Sequence, residues 1–176
     1  MHDVIGIADS PKAIDAEVVR QMQKRYELDL PLIDGAVAAV RRLAGTFRLG
    51  LASSSDRPLI DSVLSTSGLG ELFEVTVSSE EVARGKPSPD VYLEATGRLG
   101  VAPDRSAAVE DSANGIRAAR AAGLRVIAIP NARYAPPSDA LAQADVVLTS
   151  IADLTPEVVA GRDVPAGPPT SSPPRA

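Results

Sequence analysis

The chain contains no cysteine. Disulfide bonds and thiolate chemistry are therefore excluded, which fits the reducing cytoplasm expected for it. Tryptophan is also missing, and aromatic residues make up 3% of the 176 positions. The core must then be built from Ala, Val, Leu and Ile, side chains that suit a buried parallel sheet covered by helices. The single histidine, His2, stands at the terminus and is expected to carry no chemistry. Positive charge is not in excess: 18 Lys and Arg stand against 23 Asp and Glu, for a net charge of −5. Nucleic-acid binding needs a clustered basic face, and these basic residues are scattered. No segment approaches the length of a membrane span. No basic stretch followed by an apolar run marks a signal peptide. Neither a nucleic-acid nor a membrane partner is expected, and nothing in the pattern sets an oligomeric state.

What is present is ordinary for a globular protein, with 44% hydrophobic and 23% charged residues. Residues 12–28 have helical spacing, with Ile14, Val18 and Met22 recurring between charges. Pro31 punctuates the chain. A second helix is predicted over Ala36 to Ala44, ended by Gly45. From there strand and helix alternate. Strands are predicted at 47–52, 74–77, 107–109, 126–129 and 146–148. Helices are predicted at 57–67 (capped by Asp56), 89–99 (capped by Ser88), 113–122 (capped by Ser112) and 138–143. Such alternation indicates parallel βαβ units, and the right-handed crossover gives an open, doubly wound sheet. Residues 161–176 are rich in Pro, Gly and Ser and are expected to be a disordered tail.

In open α/β sheets, ligands bind beyond the carboxyl ends of the strands. The residues following each strand are therefore the candidates. After the first come Ser53, Ser54, Ser55 and Asp56. They set hydroxyls and a helix N-terminus where an anion can sit; the plain alternative is a Ser-rich turn. After the second comes Lys86, between Gly85 and Pro87. A fixed ammonium is a good counter-charge for a phosphoryl group; the plain alternative is a solvated loop lysine. After the third come Glu110 and Asp111. Adjacent acids at a strand end suit a hard cation such as Mg²⁺; alternatively one caps the next helix and the other is solvated. The helix that follows is mostly Ala and Gly, so it can lie close to the sheet and keep this site rigid.

Three segments, LASSSDRPLIDSVL, VARGKPSPDVYLEATGRLG and VEDSANGIRAARAAGL, resemble the later motifs of the haloacid dehalogenase (HAD) superfamily. The nearest likeness is to its beta-phosphoglucomutase and sugar-phosphate phosphatase subgroup, from about Pro31 to Leu154. The resemblance implies that Ser53 hydrogen-bonds the transferring phosphoryl group and that Lys86 neutralises its charge. Glu110 and Asp111 would hold Mg²⁺, with Asp111 the more direct ligand. Ser54, Ser55, Asp56 and Arg57 fall in the stretch that can help hold substrate, a small phosphorylated metabolite. The implied activity is that of a phosphatase or phosphomutase working through an aspartyl-phosphate.

The sequence departs from the family at its start. There an apolar strand should end in Asp-x-Asp, whose first aspartate is the nucleophile. The nearest stretch is Val4-Ile5-Gly6-Ile7-Ala8-Asp9-Ser10-Pro11, where proline replaces the second aspartate. The expectation is a HAD-like Rossmannoid core over 31–160 that misses its first central strand, joined to a helical-cap remnant over 1–30. Two strand edges would then stay unpaired or be forced together. An inactive remnant or non-catalytic binding module is the competing reading. Metal-free dehalogenation fits poorly with the acid pair. A dinucleotide-binding domain would need a Gly-x-Gly-x-x-Gly turn, which is absent.

Overall fold

The computed structural model describes residues 10–161. Helix α1 spans Pro11–Leu28, with Ser10 at its N-cap accepting from the Ala13 N–H. Helix α2 spans Ala36–Ala44. The alternating region follows as β1 (Gly50–Ser53), α3 (Arg57–Ser67), β2 (Val75–Ser78), α4 (Asp90–Leu99), β3 (Ala107–Glu110) and α5 (Ala113–Ala121). It ends with β4 (Arg125–Ala128), α6 (Ser138–Leu141), β5 (Val146–Val147) and α7 (Pro156–Ala160). This is the expected α/β order.

The strand pairs are parallel. Strand β1 pairs with β2 from Gly50 opposite Val75 to Ser53 opposite Ser78. Strand β3 pairs with β4, from Ala107 opposite Arg125 to Glu110 opposite Ala128. Strand β4 also pairs with β5. Both faces of the larger sheet are covered, as a parallel sheet requires. Val126 and Ala128 pack with Val91, Ile116, Ala118 and Ala119 in one cluster, on the side of α4 and α5. Ile127, one residue out of phase, packs with Leu43 and Leu154 in another.

Among the described residues the strands fall into two groups. Strands β1 and β2 form one part and β3, β4 and β5 the other. Among the described residues no strand pairs with the second edge of β1 or of β3. Both edges instead line one cavity of about 690 Å³, together with Leu43, Tyr92, Ala95 and Leu154. Among the described residues these two edges carry no ladder partner, and they are not forced together. Val109 is 42% exposed although it lies in the middle of a strand.

Several local expectations are corrected. The first strand begins at Gly50 rather than at 47, because Phe47 and Leu49 turn into the Leu43 cluster. Pro89, not Ser88, stands at the N-cap of α4, and no side chain caps it. Asp56 stands at the N-cap of α3 without a capping bond. Helix α1 has the expected extent but no buried residue, and Val18 is 50% exposed. Its period is real: the helix packs beside α3 with Ile14 and Met22 half-buried. The expected tail and the run Val4–Asp9 lie outside the described residues, the Gly161 turn excepted.

Candidate active site

Each sequence-predicted group sits where a strand gives way to a loop. Ser53 is the last residue of β1, and its Oγ accepts from the Ser55 N–H at 3.1 Å. Its own hydroxyl proton remains available to donate. Lys86 reaches back from the loop after β2. Its Nζ donates to the Ala52 carbonyl at 3.0 Å and to Glu110 Oε1 at 2.5 Å. One side chain thus ties the end of β1 to the end of β3, across the division in the sheet. An ammonium carries three donors; two are spent, and the third can face an anion beside Ser53.

Glu110 is buried, which would be costly for an uncompensated carboxylate. It is fully compensated here. Lys86 neutralises it, the Tyr92 hydroxyl donates to Oε1, and the Ser112 hydroxyl donates to Oε2 at 3.2 Å. Lys86 also stands 4.8 Å from the centroid of the Tyr92 ring, a favourable cation–π position. Burial pushes the Tyr92 phenol well above its ordinary range, with the Glu110 and Asp111 carboxylates adding to the effect. It stays a donor.

Helix α5 approaches closely because Gly115 has no side chain. A Cβ there would overlap the Glu110 carboxylate. Ser112 caps α5, its Oγ accepting from the Gly115 N–H at 3.0 Å. The small residues of α5 therefore set the position of Glu110, in line with the expected close packing.

Asp111 is exposed, and no hydrogen bond or ion pair among the described residues engages its carboxylate. Among the described residues there is no cluster of three or more His, Cys, Asp or Glu that could hold a metal. Mg²⁺ does not require one, because one or two carboxylates plus phosphate oxygens and water suffice. The Asp111 carboxylate is free for such a role, whereas that of Glu110 is already engaged by Lys86.

The remaining candidates lie on the loop from β1 to α3. Ser54 and Ser55 are exposed, while their carbonyls accept from the hydroxyls of Ser79 and Ser78. The Asp56 carboxylate caps nothing. The structure turns the Arg57 guanidinium away from the Lys86–Glu110 cluster, toward Thr76, Glu81 and Asp61. The Arg57 N–H at the start of α3 is already held by Glu80. Sequence reasoning missed Tyr92 and Glu81. Tyr92 left one signal, as one of three tyrosines in an aromatic-poor chain, six residues after Lys86. Glu81 left one local signal, its capping-box spacing from Ser78, while its partners Arg57 and Arg98 are far away in sequence.

An ammonium, a hydroxyl and paired carboxylates are thus gathered at the carboxyl ends of parallel strands in an α/β protein. The chain belongs to the haloacid dehalogenase-like hydrolases, whose family model matches residues 5–123. It is similar to hexitol phosphatase B of Escherichia coli, 36% identical over 147 residues, which are 83% of this chain and 66% of that protein. Among solved structures it is similar to CbbY of Rhodobacter sphaeroides in complex with phosphate. That likeness has a TM-score of 0.65 and 33% identity, covering 84% of this chain and 67% of the other. A beta-phosphoglucomutase of Thermotoga maritima aligns with a TM-score of 0.68 and 25% identity, over 91% of this chain and 72% of the other. The chain spans 35% to 66% of the length of the curated relatives it matches. No described helix is long and apolar enough to cross a membrane.

Proposed function

We propose that this chain binds the phosphoryl group of a small phosphate ester, a sugar phosphate by its relatives, as part of a phosphatase or phosphomutase. The observation that carries this is Lys86, fixed between the Ala52 carbonyl and Glu110 with one N–H to spare. In this reading the phosphoryl oxygens take that N–H and the Ser53 hydroxyl. Glu110 does not touch substrate; with Tyr92 it holds the ammonium in place. Ser54, Ser55 and Asp56 line the loop that faces the rest of the ester, and Arg57 braces that loop through Glu81. Asp111 would hold Mg²⁺, which supplies further positive charge to the phosphate, as is usual in phosphoryl transfer. The site residues preorganise charge before substrate arrives, which is where catalytic stabilisation is gained. The aspartyl-phosphate route and the cytoplasmic setting are further parts of the same reading, and helix α1 is read as cap. Isothermal titration with inorganic phosphate, with and without MgCl₂, tests it. Binding should strengthen with Mg²⁺ and be lost in Lys86→Ala and Asp111→Asn; equal binding by these variants would refute it.

A second reading is a non-catalytic phosphate-binding module, favoured by Lys86 already spending two of its donors within the protein, on Ala52 and Glu110. Hydrolysis of para-nitrophenyl phosphate separates the two. Phosphate binding without turnover selects the module.

A further inference from the structure

We infer that Glu81 is the positioning residue that sets the phosphate loop against the lysine loop, an inference that rests on the site reading above. Its carboxylate joins three separate parts of the chain. Oε1 takes the Arg57 guanidinium at the start of α3, on the loop that carries Ser53. The same oxygen accepts from the Ser78 N–H at the end of β2 at 3.0 Å. Oε2 takes Arg98 of α4 at 2.8 Å, and α4 is the helix that presents Tyr92 to Glu110. Arg57 carries the link further, donating to Thr76 Oγ1 at 2.8 Å.

Glu81 stands amid parallel bonds between the same loops. Glu80 accepts from the Arg57 N–H at 2.8 Å, the Ser78 hydroxyl donates to the Ser55 carbonyl at 2.8 Å, and the Ser79 hydroxyl to the Ser54 carbonyl at 3.1 Å. The two loops are thus bolted along their facing edges, with Glu81 holding the only fully charged bolt among these contacts. Its bond to Arg57 above all, then those to Ser78 and Arg98, hold its carboxyl down at about 2. The hub therefore stays ionised through the ordinary pH range. Charge-assisted bonds are the stronger kind and fix geometry. A site whose parts come from different loops loses function when their spacing slackens by a fraction of an ångström. This assigns the Arg57 side chain to holding its own loop, while its neighbours Ser54 to Asp56 face outward.

The test uses the whole chain and inorganic phosphate with MgCl₂ as the probe. Glu81→Gln should weaken phosphate binding about tenfold and speed amide hydrogen exchange in residues 53–57. Glu74→Gln is the control. Glu74 pairs with Arg48 at 2.7 Å beside the opposite ends of the same two strands, so its loss is merely structural. It should leave both readouts at wild-type values. Should Glu81→Gln fail to fold, Arg98→Gln removes one arm of the hub and is expected to shift both readouts in the same direction. Wild-type affinity and exchange in Glu81→Gln, with binding abolished in Lys86→Ala, would overturn the positioning role while leaving the site reading intact. Undiminished binding in Lys86→Ala would instead overturn the site reading itself, and the exchange measurement would still decide whether Glu81 clamps the loop.

Discussion

Lys86 Nζ lies 2.5 Å from Glu110 Oε1, and the two side chains are 11% and 7% exposed. Neither charge can be removed alone without leaving the other buried. Lys86→Met or Glu110→Gln should each cost about 3–5 kcal/mol of stability. The double variant should lose clearly less than the sum, since it strands no charge. Urea denaturation of the four proteins measures this, and strict additivity would count against a coupled pair.

Gly115 gives a second, independent handle on the same carboxylate. The Cβ of Gly115→Ala has nowhere to go but into Glu110. Alanine normally favours a helix, so a loss here isolates the steric effect. A destabilisation of about 1–3 kcal/mol is expected, together with weaker phosphate binding. A rise in melting temperature would show that Glu110 moves aside at little cost.

Tyr92 makes an alkaline prediction. Burial and the adjacent carboxylates raise its phenol above the ordinary 10.0 in the folded protein. A raised folded value means that this contribution to stability is intact below pH 10 and lost as pH rises beyond it. Wild-type stability should therefore fall more steeply above that point than stability of Tyr92→Phe. Tyrosinate absorbance gives a second check. The substitution should leave the native alkaline titration unchanged, because the phenol it removes was not titrating.

The second edges of β1 and β3, unpaired among the described residues, make a prediction about behaviour in solution. Exposed strand edges promote pairing between chains, and the edges of β1 and β3 line an apolar cavity. Val109 is exposed at that cavity. Val109→Lys should slow aggregation measured by light scattering with little change in melting temperature. Unchanged aggregation would place the sticky surface elsewhere.

Much of this molecule was legible without coordinates. Helix α5 was readable from Ser112 and its run of small residues, because capping and close packing depend on residues adjacent in sequence. Ser53, Lys86, Glu110 and Asp111 stood out because each follows a strand in a parallel architecture, which brings such ends to one side. The Lys86–Ala52 bond spans 34 positions and the Tyr92–Glu110 bond 18, and no local pattern encodes either. Arg57 shows the limit most clearly. In sequence it belongs to the candidate substrate loop; in space its guanidinium turns to Glu81, 24 positions away.

By itself the sequence determined the order of strands and helices and the residue types offered at each strand end, since both follow from short-range periodicity and backbone preference. Only the tertiary structure decided which acid is neutralised and which is left free, and that β1 and β3 stand apart around a cavity. Those outcomes depend on distances between segments remote along the chain, which burial and charge compensation fix once the sheet has assembled.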